Sequence, residues 1–540
     1  MHPSAHVDTF ARDHLPPQDQ WPELVFDGPE LQFGPRLNAA TELLDRWVQD
    51  GQGGRPCVQG AGVRWTYAEL QVEANRIAHV LVNELGVLPG NRVLLRGTNT
   101  PQLAACWFAI IKAGAIAVAT MPLLRAGELG KVIAKAEVTH ALCDAALADE
   151  LAAAQLHNPM LRGICHFRSA APDGMEARAA RQPATFGNVD TASDDCALIA
   201  FTSGTTGEPK GTMHFHRDVL AICRCWPPHC LQATASDVFI GSPPLAFTFG
   251  LGGLLLFPMS VGASAVLLEK AAPDLLLAAI AEHRATVCFT APTSYRAMAP
   301  LVGRFDIASL RKCVSAGEAL PAATRALWRQ TTGIELIDGI GATELLHIFI
   351  SHTEGEARPG ATGKPVPGYQ ACVLDDDGRP LPPGRIGRLA VKGPTGCRYL
   401  ADDRQLHYVH DGWNLTGDAY LVDDDGYFVY QARTDDMIIS GGYNIAGPEI
   451  EAALLGHPAV AECAVIGVPD EERGQLVKAF VVLRDGHAGD VRALQEHVKA
   501  AIAPYKYPRA IEFRVNLPRT ETGKLQRFKL RDAAPQDRTP

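Results

Sequence analysis

Two hydrophobic repeats alternate along the first four hundred residues. RVLLRG (92–97) is a short apolar run typical of a buried strand, and PQLAACWFAIIKAG follows with proline at its start and glycine at its end, as a helix would. AIAVATM has the pattern of the next strand, and ASAVLLE, LLLAAIAEHRA and TVCFTAPT repeat the same order further on. Strand–helix–strand units of this kind build parallel sheets covered by helices, so the pattern predicts an α/β fold.

The pattern changes after about Gly384. GRLAVKGP and YLVDDDGYFVYQA, with their Asp–Gly turns, are typical of short antiparallel strands. In the last hundred residues GPEIEAALLGHPAV predicts a helix and AECAVIGV and KAFVVLRDG predict strands, while VRALQEHVKAAI places Leu494, Val498 and Ile502 on one stripe. We therefore predict a large N-terminal domain (1–432), made of parallel α/β subdomains and a small antiparallel β part. A small mobile α+β C-terminal domain (433–540) follows it.

Composition and charge narrow the class of protein. A chain of 540 residues with 47% hydrophobic residues has enough apolar material for at least one large core. The net charge is -10, both signs are spread along the chain, and no basic cluster interleaves with aromatic residues, which argues against a nucleic-acid surface. Cys223, Cys225 and Cys230 stand close together without the second ligand pair of a zinc site, so buried thiols in a reducing compartment are expected.

No segment predicts membrane insertion or export. The N-terminus lacks a basic start followed by an apolar stretch. Residues 238–268 carry no charge over a length that could cross a bilayer, but Pro243, Pro244 and Pro258 and several glycines interrupt them. Strand, loop and buried helix in a globular core explain this run better, and we expect a soluble cytoplasmic protein.

The ten residues TSGTTGEPKG (202–211) combine glycines with four hydroxyl side chains and one lysine. They are not a Walker loop, because two residues separate Gly207 from Lys210 and glycine follows the lysine. The flanks CALIAFT and GTMHF both look extended, which predicts a strand–loop–strand turn. Glycines allow close backbone approach, while hydroxyls and an ammonium suit phosphate. A mobile surface turn is the alternative.

Five segments together resemble the adenylate-forming superfamily of acyl-CoA synthetases, peptide-synthetase adenylation domains and luciferases. TSGTTGEPKG resembles its phosphate loop, and four more signatures follow in the family order: GIGATE (339–344), TGD (416–418), ARTDDMIISGGYNIAGPEIE and LPRTETGK. The resemblance covers nearly the whole chain after about residue 40. It implies two half-reactions, in which a carboxylate attacks ATP to give acyl-adenylate and pyrophosphate and a thiol then displaces AMP.

The resemblance also assigns roles to residues. Lys524 would bridge the substrate carboxylate and the α-phosphate, Thr343 and Glu344 would serve adenine and Mg²⁺, and Asp418 would hold the ribose hydroxyls beside Arg433. A solvated lysine, a helix cap and a turn aspartate are the alternatives for isolated residues of these types. The predicted ATP contacts are Thr202, Ser203, Gly204, Thr205, Thr206, Gly207, Lys210, Gly317, Glu318, Asp338, Gly339, Asp418 and Arg433.

A hinge and a CoA surface are implied in the same way. The family rotates its small domain between the two half-reactions, and Asp435 stands at the hinge position. Rotation would withdraw Lys524 and bring SGGYN (440–444) inward. The predicted CoA contacts are Gly441, Gly442, Tyr443, Arg473, Lys506 and Arg509. ATP, Mg²⁺ and CoA are therefore the cofactors and cosubstrates expected.

Weaker signals indicate the acid. PPLAFTFGLGG and DGIGATELLHIFIS resemble segments of benzoate-type ligases, and HVDTFARDHLPPQDQWPEL resembles 2-aminobenzoate (anthranilate) CoA ligases. An apolar slot for a flat ring would include Phe249 and the predicted pocket residues Phe247, Thr248, Ile340, Gly341 and His347. His347 would accept from an ortho-amino group, or is instead a core histidine bonded to backbone.

Several functions stay open beside a 2-aminobenzoate-CoA ligase. They are a ligase for benzoate or another aryl acid, a stand-alone enzyme that loads a carrier protein, a luciferase-like oxygenase and a catalytically inactive binding scaffold. The expected partners are small molecules, with no nucleic acid and no membrane, and a homodimer is compatible with the chain.

Overall fold

The computed structural model describes residues 1–203, 208–440, 443–470, 474–502, 506–519 and 525–532. The strands within these ranges are β1 Pro56–Gly60, β2 Val63–Thr66, β3 Arg92–Arg96, β4 Ile116–Thr120, β5 His140–Asp144, β6 Gly163–Phe167, β7 Cys196–Ser203, β8 Pro209–Phe215, β9 Val238–Gly241, β10 Ser264–Val266, β11 Val287–Thr290, β12 Lys312–Ser315, β13 Leu336–Gly341, β14 Ile348–Ser351, β15 Lys364–Pro365, β16 Gln370–Leu374, β17 Gly387–Lys392, β18 Val409–His410, β19 Trp413–Val422, β20 Phe428–Arg433, β21 Ile438–Ser440, β22 Tyr443–Ile445, β23 Val460–Asp470, β24 Gly474–Leu483 and β25 Ala510–Phe513.

Helices connect most of these strands. They are α1 Phe10–Asp13, α2 Arg46–Gln49, α3 Tyr67–His79, α4 Pro101–Lys112, α5 Ala126–Lys135, α6 Ala148–Gln155, α7 Met175–Ala179, α8 His216–Trp226, α9 Thr248–Leu251, α10 Phe257–Val261, α11 Pro273–His283, α12 Pro292–Met298, α13 Ala322–Thr332, α14 Gln405–Tyr408, α15 Gly447–Leu455, α16 Val491–Ala501 and α17 Arg527–Asp532. Helix α4 begins as the sequence predicts, because the Thr100 side chain accepts from Leu103 N and Pro101 occupies the first turn.

Two large sheets are mainly parallel. One has the order β15-β14-β13-β12-β11-β9-β10-β1-β2, and the other has the order β6-β5-β3-β4-β7-β8. In the first sheet the run from β13 to β1 is parallel, and in the second only β8 runs against its neighbour. The carboxyl ends of parallel strands share one edge, where ligand sites of such sheets gather.

Two smaller sheets follow along the chain. Strands β16 to β20 form an antiparallel sheet, in which β19 pairs with β17, β18 and β20. The last sheet, β22-β21-β24-β23 with β25 beside β24, is covered by α15 and α16. The mixed α/β fold with a large N-terminal and a smaller C-terminal domain is therefore confirmed. The boundary at Arg433 stays a prediction.

The core lies on both faces of the parallel strands. On β3, Val93 and Leu95 join a cluster with α4 and α8, while Leu94 joins a second cluster with α5. Burial on both faces explains why RVLLRG is a continuous apolar run instead of an alternating one. In the small domain Leu494 and Val498 of α16 are buried as their stripe predicts.

Burial also accounts for the cysteines and the long uncharged run. The cysteines have free thiols, and all but two, Cys372 and Cys463, are buried. Residues 238–268 form β9, α9, α10 and β10 with a π-helical segment, Gly252–Leu256. Within the described ranges, no helix combines the length and the apolarity that crossing a bilayer requires.

Candidate active site

The glycine-rich stretch closes a hairpin between two strands of the second parallel sheet. Strands β7 and β8 are antiparallel, with Thr202 opposite Lys210 and the Ser203 backbone opposite Pro209. The predicted strand–loop–strand arrangement of the flanks is therefore confirmed. The predicted phosphate contacts Gly204, Thr205, Thr206 and Gly207, and the side chain of Ser203, lie outside the described part of the chain.

Two cationic side chains, which no sequence motif indicated, bind the start of β8. The guanidinium of Arg404 donates to the carbonyl oxygens of Glu208 (3.2 Å) and Pro209 (3.5 Å), and Lys131 pairs with the Glu208 carboxylate at 2.7 Å. Asp402 in turn accepts from Arg404 at 2.6 Å. These contacts anchor the chain where it enters β8 and so limit the positions open to Lys210.

Lys210 and Glu344 meet although 134 positions separate them in the sequence. The Lys210 ammonium lies 3.8 Å from Glu344 Oε1, and the Tyr399 hydroxyl donates to the same oxygen at 2.5 Å. Lys210 also donates to the Tyr399 hydroxyl at 3.1 Å. The structure thus joins the phosphate-loop lysine to the Thr–Glu signature, through a tyrosine that no sequence spacing indicated.

A buried histidine holds the backbone of the Thr–Glu turn. Thr343 and Glu344 lie in a 3₁₀ turn directly after β13, and His214 Nε2 donates to the Thr343 carbonyl at 2.8 Å. His214 is fully buried on β8, four residues after Lys210. Strand β8 therefore contacts the Thr–Glu turn at two points: Lys210 lies near the Glu344 side chain, and His214 bonds to the Thr343 main chain.

Glu344 has the chemistry that a magnesium ion needs. One of its oxygens accepts from the Tyr399 hydroxyl, and the side chain is largely buried. Mg²⁺ is held by one or two carboxylates together with substrate phosphates. Among the described residues no group of three metal-ligating side chains exists, and such a site requires none. Glu344 would hold the ion, which would neutralise charge on the phosphates.

Four of the predicted nucleotide contacts follow β12 or lie within β13. Ser315 and Asp338 stand side by side in register, and the buried Asp338 carboxyl interacts with the Ser315 hydroxyl and the Gly339 amide. Gly317, with φ +89°, and Glu318 follow Ser315, and Gly339 follows Asp338. A buried carboxyl and a hydroxyl at this edge of the sheet are able to bind a ligand that offers hydrogen bonds.

Asp338 is expected to make the stability of the free protein depend on pH. Burial raises its pKa from 3.8 to about 7, so between these values the folded chain keeps a proton that the unfolded chain releases. Stability is then lost as pH rises through this window. As the pH rises from 5 to 8, the free energy of unfolding of Asp338→Asn should increase relative to that of the unmodified protein by about 1–4 kcal/mol.

Thermal unfolding without nucleotide, measured at a series of pH values, tests this expectation. Asp376→Asn, which removes an exposed carboxylate elsewhere in the chain, is measured in parallel as the control. A constant difference for Asp338→Asn would contradict the shifted titration.

The TGD signature lies on the small antiparallel sheet. Asp418 on β19 stands opposite Arg433 on β20, and the guanidinium donates to Asp418 Oδ1 (3.1 Å) and to the Thr416 carbonyl (3.0 Å). Thr434 donates to the Gly417 carbonyl at 3.1 Å. The predicted pairing of Asp418 with Arg433 is therefore present, and it orients the carboxylate.

The small domain contacts the large one through an ion pair. Arg519 pairs with Glu318 of the large domain at 3.7 Å and with Glu462 of its own domain at 2.8 Å. Lys524 follows five residues later and lies outside the described residues. Asp435, the predicted hinge residue, lies in a 3₁₀ turn, Thr434–Asp436, and its side chain is not described; its hinge role stays a prediction.

The predicted CoA residues are only partly described. Gly441, Gly442 and Arg473 lie outside the described ranges, as does the side chain of Tyr443, whose backbone begins β22. Lys506 pairs with Glu449 at 2.6 Å, and Arg509 donates to the Tyr507 hydroxyl at 3.0 Å. Their role in CoA binding stays a prediction.

Aromatic rings surround His347. Its ring lies 4.4 Å from that of Phe257 and 5.8 Å from that of Phe249, centroid to centroid. Nε2 donates to the Phe249 carbonyl at 3.3 Å, and Nδ1 is buried without a partner among described residues. Burial lowers the pKa of His347 to about 3, so the imidazole is neutral with a bare acceptor nitrogen.

The remaining ring-pocket candidates lie on two elements near this histidine. Phe247 and Thr248 stand at the start of α9, and Ile340 and Gly341 end β13. A side chain at Gly341 would place its Cβ 2.8 Å from the His347 carbonyl group, so the close approach of these two segments requires glycine. Whether these residues contact a substrate ring stays a prediction.

Comparison with known proteins supports the family that the five sequence signatures indicate. Residues 44–399 match the AMP-binding enzyme family, and residues 449–524 match the AMP-binding enzyme C-terminal domain. Benzoate–CoA ligase of Thauera aromatica is 36% identical over 514 residues, which are 94% of this chain and 98% of that protein.

Solved structures extend the likeness to three dimensions. Anthranilate CoA ligase AuaEII, solved with anthranoyl-AMP, superposes with a TM-score of 0.90 at 35% identity, covering 94% of this chain and 99% of its own. A benzoate CoA ligase from Burkholderia xenovorans LB400 gives a TM-score of 0.83 at 32% identity, over 92% and 99% of the two chains. The chain therefore belongs to the AMP-binding, adenylate-forming enzyme family and is one of its AMP-forming acid–thiol ligases.

Proposed function

We propose that this protein is an ATP-dependent aryl-CoA ligase, with 2-aminobenzoate as the preferred acid. The observation that carries the proposal is the junction of Lys210, Tyr399 and Glu344, which places a phosphate-binding cation beside a carboxylate suited to Mg²⁺. The likeness to an anthranilate ligase and to benzoate ligases over more than nine-tenths of the chain supports an aromatic acid.

The residues suit adenylate formation because this step brings two anions together. A carboxylate must approach a triphosphate, and cations have to offset the repulsion. Lys210 would contact phosphate oxygens from the loop side, and Lys524 would reach the carboxylate and α-phosphate from the small domain. Asp418, oriented by Arg433, would accept from the ribose hydroxyls.

His347 is the residue most able to distinguish 2-aminobenzoate from benzoate. Its unpartnered Nδ1 is an acceptor, and an ortho-amino group is a donor. A site with a buried acceptor loses affinity for a ligand that leaves this acceptor unpaired. The proposed discrimination depends on that bond, because the phenyl rings around His347 would accept either flat acid equally well.

The second half-reaction would use CoA as the thiol. Glycines at 441 and 442 would leave room for the pantetheine arm, while Arg473, Lys506 and Arg509 would meet its phosphates. A stand-alone enzyme that loads a carrier protein remains the main alternative. It differs in one measurable property, which is that AMP release would not depend on free CoA.

Carboxylate-dependent exchange of labelled pyrophosphate into ATP tests the proposal. A panel of 2-aminobenzoate, benzoate, hydroxybenzoates and phenylacetate should give the highest rate with 2-aminobenzoate or benzoate, and CoA should then convert the adenylate to thioester. A clear preference for fatty or amino acids would overturn the aromatic assignment. Absence of exchange with the whole panel would favour an inactive scaffold, and oxygen uptake would indicate an oxygenase.

His347→Ala is expected to lower the exchange rate with 2-aminobenzoate relative to that with benzoate by about 10-fold or more, the range for one substituent being 1–3 kcal/mol. The measurement is the ratio of the two rates in each protein. Because loss of folded enzyme would lower both rates alike, the ratio is its own control. An unchanged ranking of benzoate, 2-aminobenzoate and fluorobenzoates would show that His347 is only a core residue.

A further inference from the structure

A single hydroxyl stands between the two charged side chains that a nucleotide would have to engage. Tyr399 Oη donates to Glu344 Oε1 at 2.5 Å and accepts from Lys210 Nζ at 3.1 Å. Lys210 and Glu344 themselves are 3.8 Å apart, beyond hydrogen-bond distance. The tyrosine is therefore their shared partner, and it occupies the position that a direct lysine–glutamate hydrogen bond would take.

The position of this hydroxyl is set by the backbone. Residue Tyr399 is 1% exposed and forms an antiparallel bridge with Thr212 of β8, the strand that also carries Lys210. Leu400 N donates to the Gly211 carbonyl at 2.8 Å, and Tyr399 N donates to Gln405 Oε1 at 2.9 Å. The backbones of the tyrosine and the lysine are thus held in one register, on adjacent strands.

The hydroxyl is also chemically suited to stay a donor. A phenol hydroxyl that donates to a carboxylate and accepts from an ammonium binds both ions without a direct hydrogen bond between them.

We propose that Tyr399 is a positioning residue for adenylate formation, which spaces Lys210 from Glu344 and orients the Glu344 carboxylate before ATP binds. This inference rests on the proposed function and deepens it. When phosphates arrive, Lys210 gives up one hydrogen bond and turns to them, while Glu344 keeps its bond to Tyr399. Without the hydroxyl, the ion pair of Lys210 and Glu344 would tighten into a direct hydrogen bond, which each ATP molecule would have to break.

Tyr399→Phe tests this role because it removes the oxygen and keeps the ring. Pyrophosphate exchange should fall about 10- to 100-fold, the range for losing a hydrogen bond to a charged group. Thioester formation from supplied aryl-adenylate and CoA should keep the rate of the unmodified protein, because no triphosphate takes part in it. Calorimetric titration should show ATP binding weakened by about tenfold, both with Mg²⁺ and with chelator present.

Tyr408→Phe is the matched control. The ring of Tyr408 packs edge-on against Tyr399 at 5.8 Å, and its buried hydroxyl has no hydrogen-bond partner within the described ranges. Removing that hydroxyl should leave ATP affinity and both half-reactions unchanged.

The outcomes separate positioning from support of the fold. Equal losses in both half-reactions, equal effects of the two tyrosine variants, or an unaltered ATP affinity in Tyr399→Phe would each overturn the inference. If the unmodified protein activates no aryl acid, the proposed function fails. The ATP titrations of the two variants still decide whether Tyr399 positions the nucleotide-binding residues.

Discussion

Replacing Lys524 by alanine is expected to slow adenylate formation by about 10²–10³-fold, the loss typical of removing one group that stabilises developing charge. The repulsion between carboxylate and triphosphate has to be offset during this step, and the proposed bridge between them is the Lys524 ammonium. Thioester formation from supplied aryl-adenylate should change little, because in the second half-reaction a thiol attacks the acyl carbon of the adenylate and AMP leaves, so no carboxylate has to approach a triphosphate.

The two half-reactions should be measured separately, by pyrophosphate exchange and by CoA-dependent AMP release. Lys529→Ala is the control, because Lys529 is an exposed lysine on α17 and its loss changes the net charge by the same amount. It should leave both rates unaltered. Equal losses in the two half-reactions of Lys524→Ala would contradict the assigned role.

Replacing Arg398 by methionine is expected to destabilise the large domain by about 3–5 kcal/mol, the cost of leaving a buried partner charge unpaired. Arg398 and Asp218 are both fully shielded from solvent and form an ion pair, and the guanidinium also stacks 4.1 Å from the ring of Phe215. Methionine fills a similar volume but leaves the Asp218 carboxylate without its cation.

Calorimetric thermal unfolding measures this loss, and a second substitution separates charge from packing. Arg398→Met combined with Asp218→Leu should recover most of the stability, because both buried charges are then removed. Arg379→Met breaks a pair with Asp377 in which both side chains are more than 70% exposed, and should cost less than about 1 kcal/mol. If Arg398→Met and Arg379→Met lower the free energy of unfolding equally, the buried pair contributes no more to stability than the exposed one.

The consequence of this pair extends to the candidate site. Arg398 precedes Tyr399, and Asp218 lies 3.8 Å from His214, which holds the Thr343 carbonyl. A loss of the pair should therefore reduce adenylate formation as well as stability. The ion pair is therefore next to both residues that contact the Thr–Glu turn, Tyr399 and His214.

Local patterns predict the elements well where one physical rule dominates. The strand 92–97 and the helix after it follow from an uninterrupted apolar run and from a Thr100–Pro101 start, and both form as expected. The hairpin around the glycine-rich loop follows from extended flanks on both sides. The Leu494–Val498 stripe of α16 is buried because helical periodicity places both residues on one face.

Long-range partners could not be predicted in this way. Tyr399 lies in the segment CRYLADD, where no periodicity or spacing distinguishes it. Its importance follows from its hydrogen bonds to Lys210 and Glu344, which are remote in the chain. His214 lies in an ordinary strand pattern. Only the contact between β8 and the turn at Thr343 shows that its ring donates to the Thr343 carbonyl. Such contacts arise when separate strands meet at one edge, which no local pattern records.

By itself the sequence determined the element types, the two-part organisation of the chain and the family, because apolar periodicity and five ordered signatures are local properties. It also predicted charged residues for the proposed chemistry. Only the tertiary structure decided how those charges are held: Lys210 and Glu344 share a tyrosine hydroxyl, Asp418 pairs with Arg433, and Asp338 is buried beside Ser315. The physical reason is that hydrogen-bond geometry and burial depend on distances between segments, and these are set when the sheets and helices pack.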